Sequence, residues 1–283
     1  MKKSLLVIAS LILVILIKGC ISQKLDKILV FNPTILNEYD FSRLKVPSSN
    51  WTFLWITNQD NSTCAIKIER KIGVNDSLSN IWVLFCHGNT ATLDVAPVNF
   101  GNLFYELGIN FFAMEYRGFG IISNFTPSED STYEDAENAL NYLVNTLGVP
   151  KSNIVIMGHS LGGGVATEIA KRHNLRGLIL VSTFTKIRNA GEMVTTYAIP
   201  SEPYINSVYD NLSKIDQVGE PILFIHGKAD TTLSFEFSKQ LYEKAKEPKY
   251  YLWIDNCNHS SDEIINKGGQ QLKDAIINFI SGL

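Results

Sequence analysis

Apolar residues in this chain follow two patterns: short unbroken runs, and longer stretches in which they return every third or fourth position. The runs are Trp51–Ile56, Ala65–Ile68, Ile81–Cys86, Asn110–Tyr116, Ile154–Met157, Gly177–Val181, Ile222–Ile225 and Tyr250–Ile254. Their length and lack of alternation predict eight strands, most of them parallel and buried on both faces. Asn58–Thr63, between the first two, reads as a turn. Helical spacing appears at Tyr133, Ala136, Leu140, Leu143 and Leu147, with Ser131 and Glu134 placed as a capping box. It recurs at Leu161, Val165, Ile169 and Ala170, at Phe237, Leu241 and Ala245, and at Leu272, Ile276, Phe279 and Ile280. Two early strands followed by β-α alternation predict an α/β fold with an antiparallel edge, one domain over residues 51–283 without internal repeats.

The amino terminus departs from both patterns. Lys2 and Lys3 precede an apolar run from Leu5 to Ile17, broken only by Ser10. These 13 residues rise about 20 Å as a helix, short of the roughly 30 Å hydrocarbon core, which suits the apolar region of a signal peptide. Ile17-Lys18-Gly19-Cys20 resembles a bacterial lipobox apart from Lys18, and makes Cys20 a candidate for lipidation. The alternative is an uncleaved signal anchor. Either way residues 1–19 are an address that exports the protein and holds it at a membrane, and 20–50 are expected to be a tether and lead-in.

Composition adds mainly exclusions. With 45% hydrophobic and 19% charged residues the chain is that of a folded protein. A net charge of −3 and no basic run longer than a pair such as Lys2-Lys3 give no footprint for nucleic acid. Cys20, Cys64, Cys86 and Cys257 form no CxxC pair, which argues against a zinc or thioredoxin-type site, and no metal or organic cofactor is expected.

The chemistry gathers at strand ends. Ile154-Val155-Ile156-Met157 runs into Gly158-His159-Ser160-Leu161-Gly162, and a helical pattern starts at once. A strand, Gly-x-Ser-x-Gly and a helix in succession are the context of a nucleophile elbow, with Ser160 on a strained turn. The two glycines let strand and helix approach each other. A serine nucleophile needs a base, and the base an orienting acid, following it in the chain. His173 reads as surface and His226 as a structural residue before Gly227, which leaves His259, in the loop after the last strand. For the acid, Asp230 after the seventh strand is preferred to Asp210, Asp216 and Asp255, which lack a suitable strand end or lie too near His259. An oxyanion hole needs two backbone N–H groups. Leu161 supplies one; Asn89, or Thr90 beside it, supplies the other from the His87-Gly88-Asn89 loop, where His87 is expected to shape the loop.

From about Trp51 onward the sequence resembles the alpha/beta-hydrolase superfamily, and within it the abhydrolase-domain serine hydrolases. The resemblance rests on His87-Gly88-Asn89, Glu115-Tyr116-Arg117-Gly118-Phe119-Gly120, Gly158-His159-Ser160-Leu161-Gly162-Gly163, His226-Gly227-Lys228-Ala229-Asp230 and Asn258-His259. It implies a mostly parallel eight-stranded sheet with helices on both faces, and Ser160, Asp230 and His259 as nucleophile, acid and base. Glu115 stands where the family usually has Asp, which is expected to alter a salt link with Arg117. Ile121–Phe125 is more apolar than the family pattern and is a candidate for the substrate rim. The segment 184–219, with Met193, Tyr197, Ile199, Pro200, Pro203, Tyr204, Ile205 and Tyr209, is expected to cover the site or to close the core.

These readings predict a membrane-tethered serine hydrolase that cleaves acyl esters or thioesters through an acyl-enzyme, with a small-molecule or lipid-like acyl substrate. Peptidase activity remains open. An acyltransferase on the same three residues, or a non-catalytic surface binding protein with this fold, are the alternatives.

Overall fold

A computed structural model describes residues 26–57, 62–187 and 207–283. All eight predicted strands are present: β1 (Trp51–Thr57), β2 (Ser62–Ile68), β3 (Trp82–Cys86), β4 (Asn110–Met114), β5 (Ile154–His159), β6 (Gly177–Val181), β7 (Ile222–Gly227) and β8 (Lys249–Ile254). They form one sheet in the order β1-β2-β4-β3-β5-β6-β7-β8. β2 runs antiparallel to both β1 and β4, and the strands from β3 onward are parallel. Among the described residues the longer helices are α1 (Ala96–Glu106), α2 (Glu129–Asn141), α3 (Leu161–Arg172), α4 (Phe235–Lys244) and α5 (Ser261–Ser281).

The unbroken apolar runs have a direct cause. Successive side chains of a strand point to opposite faces, and here both faces are dry. Leu84, Ile156 and Leu180 enter one core beneath α2, α3 and α4, while Val83, Val155 and Ile179 enter a second core with Phe100 and Phe104 of α1 and Leu272 and Ile276 of α5. β8 departs from the expected double burial. It is an edge strand, and Tyr250 and Tyr251 are 47% and 55% exposed.

Other expectations are corrected. α1 carries no clean helical stripe, because Phe100, Gly101, Leu103 and Phe104 are buried over a wide arc and Pro97 lies in its first turn. The capping box of α2 is formed by Ser128 and Ser131, not Ser131 and Glu134, whose carboxylate reaches Arg117 at 2.6 Å instead. The lead-in expected over 20–50 is no free tether from residue 30 onward: Val30, Phe31 and Val46 are buried in the cores. Of the segment 184–219, Phe184, Tyr209, Ile215 and Val218 are core residues. Met193, Tyr197, Ile199, Pro200, Pro203, Tyr204 and Ile205, like the signal segment and Cys20, lie outside the described residues. Cys64, Cys86 and Cys257 are buried free thiols.

Candidate active site

The carboxyl ends of β3, β5, β7 and β8 lie at one rim of the sheet, and the loops leaving them carry the predicted residues. β5 passes into α3 through Ser160, whose φ of 56° and ψ of −120° are the strained values of an elbow. The turn closes because neither flanking glycine has a side chain. A Cβ on Gly162 would overlap the Cys86 carbonyl and come within 2.6 Å of His87 O, and one on Gly158 would overlap the Gly162 carbonyl. The Ser160 backbone is held by its N–H to Val181 O at 3.0 Å and by the Thr183 hydroxyl donating to its carbonyl at 3.0 Å.

Ser160, His259 and Asp230 are brought together in one line. His259 Nε2 is 2.9 Å from Ser160 Oγ, and its Nδ1 is 2.7 Å from Asp230 Oδ2. A carboxylate can only accept, so Nδ1 carries the ring proton and the Nε2 lone pair faces the serine hydroxyl. The Asp230 carboxylate faces four donors. Its Oδ1 accepts the N–H groups of Thr232 and Leu233, both at 2.8 Å, and its Oδ2 also lies 3.2 Å from His226 Nε2. Burial works to raise the pKa of Asp230, but the hydrogen bonds from His226 and His259 outweigh it and hold the carboxyl well below the usual range. The competitor Asp255 is a surface residue paired with Lys228 at 2.8 Å.

Three supporting groups were not assigned from sequence. His226 is fully buried, and its Nε2 faces two acceptors, Asp230 Oδ2 and Leu233 O at 3.1 Å. It therefore donates there and receives the Ser238 hydroxyl at Nδ1, 2.6 Å away. Asn258 Oδ1 accepts N–H groups from both His259 (2.9 Å) and Thr231 (3.0 Å), tying the loop of His259 to that of Asp230. His159 donates from Nε2 to the His259 carbonyl at 3.0 Å, with the two rings 5.2 Å apart. Only the distance relations among loops, absent from a linear reading, reveal these partners.

Burial of His159, and the His259 ring beside it, push its pKa down to about 3 from an ordinary 6.5. Between those values the unfolded chain binds a proton that the folded chain excludes. Stability is therefore expected to fall as pH drops below about 6.5, by at most ~1.4 kcal/mol per pH unit from this group. Urea denaturation at pH 7 and pH 5 checks this: His159→Gln should lose less stability between the two than the wild type.

The candidate oxyanion side comprises the β3–α1 loop and the start of α3. A Cβ on Gly88 would lie 3.0 Å from Ser160 Cβ, so the loop backbone passes directly over the serine. Leu161 opens α3, whose free N–H groups and dipole face the same place. The Thr90 N–H is directed to Phe31 O at 3.4 Å, which leaves Asn89 as the loop's candidate donor. His87 is a loop-shaping residue as expected. It is fully buried, with Nδ1 2.8 Å from Gly88 O and Nε2 2.6 Å from Glu115. The expected Glu115–Arg117 link is absent. Arg117 binds Asp135 through Nε at 2.5 Å and through its backbone N–H at 2.8 Å. Glu115 serves His87, the Leu93 N–H at 3.2 Å and the Tyr39 hydroxyl at 2.9 Å. In the candidate rim Ile121–Phe125, Ile122 is buried in the second core, and the partly buried Ile121 and Phe125 pack on it.

Comparison with known proteins agrees with this architecture. The family model described as serine aminopeptidase, S33, matches residues 79–206, which include the β3–α1 loop and Ser160 but end before Asp230 and His259. Human alpha/beta hydrolase domain-containing protein 17B is 28% identical over 191 residues, 68% of this chain; the chain spans 64% of that relative's length. The uncharacterized protein YfhR of Escherichia coli O157:H7 is 30% identical over 203 residues, covering 70% of this chain and 69% of its own. Among solved structures, Pyrococcus furiosus esterase Pf2001 superposes with a TM-score of 0.71 at 19% identity, over 89% of this chain and 97% of its own. The chain has the α/β-hydrolase architecture and belongs to the alpha/beta-hydrolase superfamily.

Proposed function

We propose that the protein is a membrane-tethered serine hydrolase that cleaves acyl esters or thioesters through an acyl-enzyme. The observation that carries this reading is the unbroken run from Ser160 Oγ through the two nitrogens of His259 to Asp230 Oδ2. Ser160 attacks the acyl carbonyl while His259 Nε2 takes its proton, and Asp230 holds the ring in that orientation and balances the imidazolium. The oxygen that becomes negative is received by the N–H groups of Leu161 and Asn89. His259 then protonates the leaving group, and water repeats the sequence to release the acid.

The family model's description favours a second reading, hydrolysis of an amide at a peptide amino terminus. A fluorophosphonate probe on the wild-type protein, with the tagged peptide mapped by mass spectrometry, tests the nucleophile. The tag should reside on Ser160, and a tag elsewhere or none at all overturns the proposal. Relative kcat/KM on p-nitrophenyl esters of rising chain length, acyl thioesters and aminoacyl anilides then separates the readings. Anilides as the best substrates would favour the peptidase, and fastest turnover of the acetyl ester would count against a lipid-like substrate.

The tether rests on Lys2-Lys3, the run Leu5–Ile17 and Cys20. Mass spectrometry of the mature amino terminus should find either a lipidated Cys20 or a retained Met1 in the membrane fraction. Recovery in the soluble fraction would remove the tether from the proposal.

A further inference from the structure

The loop between β3 and α1 contains a backbone conformation that the three-residue line does not explain. Thr90 has a φ of +58°, in the left-handed region that β-branched residues rarely adopt. Such a residue persists only where its surroundings over-determine it. Those surroundings are a single upstream stretch. The Thr90 N–H donates to Phe31 O at 3.4 Å, its carbonyl accepts the Thr34 hydroxyl at 2.6 Å, and Asn89 Nδ2 donates to Val30 O at 3.3 Å. A few residues further on, the Tyr39 hydroxyl donates to Glu115, whose carboxylate holds His87 at one end of the loop and the Leu93 N–H at the other.

The stretch is itself well fixed. Phe31 is fully buried and meets the Tyr209 ring edge-on, with centroids 6.3 Å apart. Thr34 and Leu36 pair with Gly120 through two backbone hydrogen bonds of 2.9 Å each, Gly120 N–H to Thr34 O and Leu36 N–H to Gly120 O. Residues 30–39 therefore hold the β3–α1 loop through Asn89 and Thr90, next to Gly88, which rests against Ser160 Cβ.

We infer that residues 30–39 are a strap that sets the Asn89 N–H as an oxyanion donor, with Thr34 and Tyr39 as positioning residues. This rests on the proposed acyl transfer at Ser160. An oxyanion donor acts only if it already points to where charge will develop, so a small drift of the loop weakens the transition state more than the bound substrate. Thr34 is exposed, and its hydroxyl contributes through the Thr90 carbonyl rather than by touching substrate.

The test uses the full chain with a p-nitrophenyl ester and a trifluoromethyl ketone that mimics the tetrahedral adduct. Removing one oxyanion donor costs about 100- to 1,000-fold, and misplacing one should cost less. Thr34→Val is expected to lower kcat by about tenfold with KM unchanged, and to weaken the ketone by the same factor, with no change in melting temperature. Thr34→Ser, which keeps the hydroxyl, should restore both, and Tyr39→Phe should shift both in the direction of Thr34→Val. Wild-type kcat and ketone affinity in Thr34→Val and Tyr39→Phe would overturn the strap. So would a loss of kcat with full ketone affinity. Turnover that survives in Ser160→Ala would instead mean that the acyl-transfer reading itself had failed.

Discussion

Asp230→Asn is expected to lower kcat by about 10⁴-fold while the protein stays folded and still binds substrate. The reason lies in how the four donors divide. Oδ1 faces two backbone N–H groups, from Thr232 and Leu233, so the amide oxygen of an asparagine must take that position. The amide nitrogen then occupies the place of Oδ2, opposite His259 Nδ1 and His226 Nε2. It can only donate, so Nδ1 of His259 must accept and the ring proton moves to Nε2. A proton there faces Ser160 Oγ, and the base has no lone pair to offer. The same nitrogen also opposes the His226 N–H, donor against donor. Steady-state kinetics on an ester, with circular dichroism to confirm the fold, measure the effect. A loss smaller than tenfold would mean that the acid is another residue. It would also mean that the short His259–Asp230 contact has no catalytic role.

How much of this was legible in the sequence depends on how local the physics is. The strands were readable because burial on both faces leaves no polar position within a run, as in Ile154–Met157. The elbow was readable because strand, glycine, serine, glycine and helix are consecutive, and the steric need for Gly158 and Gly162 is met within five positions. Asp230 and His259 could be chosen because each follows a strand end. What was not legible is pairing across the chain. Glu115 lies two residues from Arg117 in sequence, yet its partners are His87 and Tyr39, 28 and 76 residues away. His226 reads only as a structural residue before Gly227, because its contact with Asp230 depends on how the loop after β7 folds back. The strap was read as a tether because residues 30–39 carry no strand or helix pattern. They are held by isolated hydrogen bonds to Gly120 and Thr90, which leave no periodicity. α1 escaped for a related reason: a helix buried over a wide arc shows no stripe.

Gly162→Ala is expected to destabilise the fold by about 3 kcal/mol and to remove the activity with it. The neighbours of the missing methyl are backbone atoms, the Cys86 carbonyl and His87 O, and neither can rotate aside as the end of a side chain could. Relief requires α3 to move off the end of β3. That motion separates the Leu161 N–H from the loop carrying Asn89 and carries Ser160 with it. Stability and catalysis should therefore fail together, which sets this substitution apart from Asp230→Asn, where only catalysis fails. Gly219→Ala is the control, since a Cβ there meets nothing within 4 Å. Urea denaturation should show a lower midpoint for Gly162→Ala at an unchanged slope, and an unshifted midpoint for Gly219→Ala. Wild-type stability and turnover in Gly162→Ala would mean that the helix can give way at the elbow. The close approach of α3 to β3 would then not be what holds the serine in its strained turn.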